Sequence, residues 1–304
     1  MTPAPPIPVI TGCTASGKTG LAIAMAARIR MEVISADSRQ IYRMMDIGTA
    51  KPTRGEREAV PHHLLDIMDP DGTYSAGRFA REASALAAAI RARGAVPVVV
   101  GGTGLYLLAL TGRFDPLPQA DGTLRSILSA CECSSSGFVR RCLARLDPPS
   151  AGMLHPSDAV RALRALEITL LSGRRASSLR TGGSGRGDGF RIARVEVPAP
   201  DLRRRISART RSMLESGLVD EVRRLAAAGF GRDCAPGRTI GYREVLDSLE
   251  AGGSGDDAAT AIENGTWRFS RRQRNMLGRL PADLVTDGGD PGALFETLFG
   301  DGVP

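Results

Sequence analysis

Eight residues near the start, Gly12-Cys13-Thr14-Ala15-Ser16-Gly17-Lys18-Thr19, fit the pattern G-x-x-x-x-G-K-[ST]. In that pattern a glycine-rich backbone turns its N–H groups inward around a phosphate. The flanks meet its structural demands. The apolar run Ile7 to Ile10, with Pro8 at its start, reads as a strand, and the alanine-rich run Leu21 to Ile29 reads as a helix. The order strand, glycine loop, helix puts the positive end of a helix dipole against whatever the loop holds. Lys18 is then expected to neutralise terminal phosphate oxygens, and the Thr19 hydroxyl to hold Mg²⁺. Of 40 basic residues only Lys18 and Lys51 are lysines, so the rare one sits in the slot that needs it. The loop specifies a diphosphate or triphosphate. It does not specify nucleotide hydrolysis.

A chain of 304 residues with 42% hydrophobic content suffices for one large α/β domain, or a core with an inserted subdomain. No apolar run approaches the ~20 residues of a membrane span, and Met1 to Pro8 lacks the basic region of a secretory signal. Five cysteines (Cys13, Cys131, Cys133, Cys142 and Cys234) are odd in number and form no CxxC pair. They are expected to be reduced thiols in a cytoplasmic protein. A formal charge of +7 favours a polyanionic partner, though an Arg-rich set of solvated faces gives the same sum. Only 4% of residues are aromatic, too few for a platform that stacks many bases.

Along the chain, Val33 to Ser35 reads as a second strand with Asp37-Ser38 just past its carboxyl end, the edge where open α/β sheets bind ligands. Asp37 is therefore available as a general base or Mg²⁺ partner, or as a helix cap. Asp46 to Pro52 is a loop. Pro61 to Ile67 reads as a third strand, whose regular alternation sends His62 and His63 to opposite faces and favours strand structure over a metal site. Ser75 to Arg93 has helical spacing, and Val96 to Val100 is a buried strand. It runs into Gly101-Gly102-Thr103-Gly104-Leu105-Tyr106 and a further helix. Thr103 thus reaches the rim that carries Lys18 and Asp37, unless it only caps that helix. Three strands delivering Lys18/Thr19, Asp37/Ser38 and Thr103 to one edge make a stronger case than any single match.

Beyond Phe114 the pattern changes. Asp115 to Asp121 is a rigid linker, and helical signals follow at 124–128, 138–146 and 159–171 with no strand between them. Gly182 to Gly189 is a glycine-rich connector, and Phe190 to Val197 returns to strand. Residues 115–189 are therefore expected to be a helical insertion carrying Arg161, Arg164, Arg174 and Arg175, between core segments 1–114 and 190–304. The last third reads as helices over 201–215, ended by Gly217, and 218–228. Arg205 and Arg209 share one face that could contact phosphates. The arginines of Thr266 to Arg274 read as a solvated helix face.

Taken together these residues resemble bacterial tRNA dimethylallyltransferases, the tRNA isopentenyltransferase family. The resemblance rests on Gly12–Thr19, Val33–Ser38, Ile41-Tyr42, Met45–Pro52, Pro61–Asp66, Tyr74-Ser75-Ala76, Gly101–Tyr106 and Pro116-Leu117-Pro118. His155-Pro156 with Arg161, Arg164 and Glu167, then Ile240–Glu244, complete it. It implies an α/β, P-loop NTPase-like parallel sheet with flanking helices and an all-helical insertion subdomain. It also implies transfer of a dimethylallyl group from dimethylallyl diphosphate to N6 of the adenosine 3′ of the anticodon (tRNA position 37). In that family pattern Gly12, Thr14, Ala15, Ser16, Gly17, Lys18 and Thr19 hold the diphosphate, with Mg²⁺ on Thr19 as cofactor. Asp37 is the base, and Thr103, Lys18 and Arg209 complete the catalytic set. tRNA contacts are expected from Asp37, Ser38, Arg39, Gln40 and Thr103, from Arg125, Val160, Arg161 and Arg164, and from Arg238, Gly241 and Tyr242. The chain departs from the pattern at Cys13, where proline is usual. It departs again at Arg268-Phe-Ser-Arg271-Arg272-Gln273, where R-x-x-A-K-R-Q is common, with Met276 near an expected tryptophan. A monomer acting on the anticodon stem-loop, with no membrane partner, is expected. The alternatives are an isopentenyltransferase acting on free adenine nucleotide, an ATP-dependent small-molecule kinase, and a non-enzymatic RNA-binding protein. The first two share the phosphate loop.

Overall fold

The unbroken run Val98, Val99, Val100 shows why this chain builds a sheet covered on both faces. Side chains of a strand alternate, and Val99 enters one apolar cluster with Val9 while Val98 and Val100 enter a second with Ile10. The computed structural model describes residues 4–113, 117–179 and 189–300. Among them six strands, β1 (Ile7–Gly12), β2 (Met31–Ser35), β3 (His62–His63), β4 (Val96–Gly101), β5 (Phe190–Val195) and β6 (Leu284–Thr286), form one sheet in the order β3-β2-β4-β1-β5-β6. Every pairing is parallel. The helices are α1 (Lys18–Ala26), α2 (Arg54–Ala59), α3 (Ala76–Ala92), α4 (Gly104–Leu110), α5 (Gly122–Ser134), α6 (Phe138–Leu146), α7 (Pro148–Met153), α8 (Ala159–Ser172), α9 (Ala176–Leu179), α10 (Ala199–Glu215), α11 (Leu218–Ala227), α12 (Tyr242–Glu250), α13 (Ala259–Leu277) and α14 (Pro291–Phe299).

Strand order reverses at β1, which has β4 on one side and β5 on the other. That is the switch point at which α/β sheets open a crevice beyond their carboxyl ends. The third strand is much shorter than the expected 61–67. Leu64 and Asp66 take φ of 61° and 56°, left-handed values that no extended strand accommodates. His63 Nε2 lies 2.6 Å from Glu32 Oε2, and His62 Nδ1 2.7 Å from the Val60 carbonyl. The tail adds β6 and α14, which buries Leu294, Leu298 and Phe299.

The chain divides into two compact units, Met1–Leu110 with Gly187–Pro304, and Thr111–Arg186. The second is helical, its core built from Leu143, Ala165, Leu166, Ile168 and Ala176. Buried Asp147 organises it. Its carboxylate accepts from Ser150 N and Oγ and from Ser177 N and Oγ. Residues 115–116 of the expected linker and 182–188 of the expected connector lie outside the described residues. No described helix is long and apolar enough to cross a membrane.

Candidate active site

The site begins where β1 and β4 end. Thr11 and Gly101 are the last paired residues, and Thr11 Oγ1 donates to the Gly101 carbonyl at 2.8 Å. Past this rung β1 enters the glycine loop. Gly17 takes φ 95° immediately before α1, a left-handed backbone that glycine adopts without penalty. Lys18 and Thr19 follow in the first turn of α1. Lys18 Nζ donates to the Cys13 carbonyl at 2.8 Å and to Ser16 Oγ at 3.3 Å. Burial lowers its pKa to about 8, with Cys13 and then Asp37 opposing the shift and Arg209 adding to it. Arg205, on α10, donates to the Ser16 carbonyl at 3.1 Å.

Two cavities open at this edge. The first, of about 1080 Å³, is lined by Gly17, Lys18, Thr19, Lys51, Arg205 and Arg209 with neighbouring residues. The second, of about 470 Å³, is lined by Thr14, Asp37, Ser38, Arg39, Thr103 and Arg209 with residues of α13 and the 238–241 turn. Arg209 and Met213, one turn apart on α10, line both. Arg209 also donates to the Thr49 carbonyl at 3.3 Å, and burial lowers its pKa against the pull of Asp37. The four residues expected to carry chemistry thus fall on two adjoining cavities, Lys18 in one, Asp37 and Thr103 in the other, with Arg209 shared between them.

Asp37 closes a turn and lines the second cavity. Its Oδ1 accepts from Arg39 N at 2.8 Å and Gln40 N at 3.4 Å, as a turn cap does, while the residue faces the second cavity. Thr103 does not use its hydroxyl to cap α4. Its carbonyl accepts from Tyr106 N and Leu107 N, whereas its Oγ1 accepts from Ser38 N at 2.9 Å and donates to Ser38 Oγ at 3.3 Å. The hydroxyl therefore ties the 103 turn to the segment that carries Asp37.

Several expected RNA contacts are differently placed. Tyr242 is fully enclosed, and its hydroxyl donates to Glu221 Oε1 at 2.6 Å. Burial and then the Glu221 carboxylate push its pKa above the ordinary tyrosine range. Its side chain meets no solvent, so the expected direct contact is corrected to a supporting position, while Arg238 and Gly241 line the second cavity. Gln40 turns its amide to the Thr49 and Ala50 carbonyls. In the helical unit Arg125 and Arg164 converge on fully buried Glu167. Burial alone would raise the Glu167 pKa, and the two guanidiniums with the Asp121 amide outweigh it and lower it. Both arginines are partly committed there. Val160 and Arg161 sit exposed in the first turn of α8, Arg161 paired with Asp158 at 2.5 Å.

Three contributors escaped sequence reasoning. Lys51 is buried and donates to the Tyr42 carbonyl at 2.8 Å and to Asp46 and Asp66, each at 2.5 Å. Its rarity as a lysine was a usable signal. Glu221 accepts from the backbone N–H of Asp46, Ile47 and Gly48. The 266–274 cluster is not simply a solvated face. Ser270 and Gln273 are buried, and Arg268, Phe269 and Arg272 line the second cavity.

A glycine-rich loop at the carboxyl edge of a parallel sheet thus adjoins a second, arginine-lined cavity. The family model described as IPP transferase matches residues 40–279. Among curated relatives, the tRNA dimethylallyltransferase of Thermotoga petrophila is 44% identical over 88% of this chain and 87% of its own. That of Cupriavidus necator is 44% identical over 95% and 92%. A solved tRNA isopentenylpyrophosphate transferase from Bacillus halodurans shares 36% identity, with TM-score 0.65 over 93% of this chain and 89% of that one. A eukaryotic dimethylallyltransferase acting on tRNA superposes with TM-score 0.80 at 26% identity, over 98% and 77%. This chain belongs to the IPP transferase family.

Proposed function

We propose that this protein transfers a dimethylallyl group from dimethylallyl diphosphate to N6 of the adenosine 3′ of the anticodon in tRNA, releasing diphosphate. The observation that carries the reading is the pair of adjoining cavities sharing Arg209, one with the phosphate loop and one with Asp37 and Thr103. The donor's diphosphate occupies the first, against the backbone of Ala15 to Gly17 and the Lys18 ammonium. The adenine leaves its stack to enter the second, at a cost of a few kcal/mol that is smaller in a loop than in a duplex. The donor's C1–O bond breaks and its electron pair goes to diphosphate, where Lys18 and Arg209 meet the developing charge. The N6 lone pair forms the new C–N bond, and the N6 proton passes to Asp37.

Mg²⁺ fits this donor set. Among the described residues no cluster of three or more His, Cys, Asp or Glu makes a protein cage, and Mg²⁺ commonly binds through one or two protein oxygens plus substrate phosphates. The Thr19 hydroxyl on the first cavity's wall would be the protein oxygen, and the ion would supply charge neutralisation to the leaving group.

The test offers radiolabelled dimethylallyl diphosphate with Mg²⁺ to an unmodified anticodon stem-loop containing adjacent adenosines and, in parallel, to AMP. An Asp37→Ala control runs beside it. Label in the stem-loop, lost in the control, is the expected result. Label in AMP alone would move the activity to free nucleotide. Label in neither would overturn the reading.

A further inference from the structure

The two turns that carry the chemistry leave adjacent strands and then separate. Thr11 and Gly101 make the last backbone rung between β1 and β4. Beyond it, Gly12 to Thr14 begin the phosphate loop, and Gly102 and Thr103 lead into the turn facing Asp37. A side chain from far along the chain closes the gap. Gln273, on α13 and buried, accepts from Thr14 N at 2.8 Å through Oε1 and donates to the Gly102 carbonyl at 3.0 Å through Nε2. Its amide acts as one inserted peptide group, with one acceptor for the first turn and one donor for the second. A β-carbon on Gly102 would lie 2.7 Å from Gln273 Nε2 and 2.8 Å from the Gly12 carbonyl, so glycine at 102 admits this bridge.

We infer that Gln273 is a positioning residue for the transfer reaction. It fixes the start of the phosphate loop, and with it the donor's diphosphate, relative to Thr103, whose hydroxyl holds the Asp37 segment through Ser38. This rests on the reading above, in which the two cavities hold donor and acceptor. Two features distinguish the residue from ordinary core packing. Its hydrogen bonds go to turns on different strands, and it spends a phosphate-loop amide on protein rather than leaving it for ligand. Gln273 also lines the second cavity, but both polar atoms of its amide are committed to the two turns, so its loss acts through geometry. Displacements of about 1 Å at a reacting pair cost on the order of a hundredfold in rate.

The experiment compares wild type with Gln273→Met, which keeps the length and loses both hydrogen bonds, and Gln273→Glu. The ionised Glu keeps the acceptor for Thr14 N and sets an oxygen against the Gly102 carbonyl. Single-turnover transfer to the stem-loop is measured per active site, titrated by binding of dimethylallyl diphosphate, alongside donor KM and Tm. The expected result is a fall in the single-turnover rate of roughly ten- to a hundredfold in both variants, with donor KM within about threefold. Variants with unchanged rate per titrated site, whatever their Tm, would overturn the inference. So would a loss confined to donor KM. Wild-type protein that transfers nothing to the stem-loop would overturn the underlying reading instead, an outcome that needs no variant.

Discussion

Lys18 offers the sharpest quantitative test of the donor cavity. Its ammonium is lowered from an ordinary 10.5 to about 8 because burial outweighs the attraction of Cys13 and Asp37. Only the charged form pairs with diphosphate. In the free protein roughly nine tenths of Lys18 is charged at pH 7 and roughly a tenth at pH 9, so its contribution to affinity falls about tenfold across that interval. Diphosphate titrates too, and a Lys18→Arg control removes that complication because guanidinium stays charged throughout. Association constants for inorganic diphosphate with Mg²⁺, measured calorimetrically at half-unit steps, are expressed as the ratio of wild type to variant. The ratio is expected to drop about tenfold from pH 7 to 9, and binding near pH 8 takes up about half a proton more than the variant does. A ratio constant within twofold would refute the burial argument and mean that the attraction of Cys13 and Asp37 dominates. In an Asp37→Asn background the decline moves to lower pH, since the opposing carboxylate charge is gone. For folding the sign is opposite. The unfolded chain holds this proton more tightly, so Lys18's contribution to stability rises with pH between about 8 and 10.5.

Asp37→Asn is expected to lower the single-turnover rate by about 10²- to 10⁴-fold while donor binding at pH 7 stays within a few-fold, as read by quench-flow and equilibrium binding. Tyr242→Phe removes a buried hydroxyl from a carboxylate and is expected to cost about 1.5–3 kcal/mol in urea unfolding. Glu167→Ala removes the buried carboxylate that Arg125, Arg164 and the Asp121 amide bond to, and about 1–3 kcal/mol of stability loss is expected from calorimetry or denaturant titration. Arg272→Ala is expected to weaken stem-loop binding and to reduce the slope of log K against log salt by about 0.7, with an unchanged slope counting against a phosphate contact.

The parallel sheet was legible because its signals are local. A glycine loop between an apolar strand and an alanine-rich helix fixes β1 and α1. The run Val96 to Val100 can be buried only if both sheet faces are covered, and Asp37 and Thr103 follow strand ends by position alone. What was not legible depends on partners distant in sequence. Pro61 to Ile67 has a strand's composition, yet Leu64 and Asp66 turn left-handed as Asp66 reaches the Lys51 ammonium at 2.5 Å. The 266–274 segment presents an arginine run that charge patterning assigns to solvent, and nothing local marks Gln273, whose two partners lie 259 and 171 residues away. Tyr242 sits in a stretch that resembles an RNA-contacting motif, but only the fold shows that its ring is enclosed.

Segment 46–51 explains how residues without access to substrate can govern both cavities. Asp46, Ile47, Ala50 and Lys51 line the first, and Gly48 and Thr49 the second, so this short stretch is a wall with chemistry on either side. It has little apolar surface to hold it and is held by charge instead. Lys51 grips Asp46 from one side, and Glu221 takes three consecutive N–H groups from the other. A compact ammonium with three donors suits the first task better than a planar guanidinium, which accounts for a second lysine in an otherwise arginine-based chain. Arg209 and Gln40 then bind the outward carbonyls of Thr49 and Ala50. Tyr242 stands behind Glu221, one residue from Gly241, which lines the second cavity. A change at Tyr242 therefore acts on the second cavity through Glu221 and this wall, and its effect extends to the first cavity on the wall's far side.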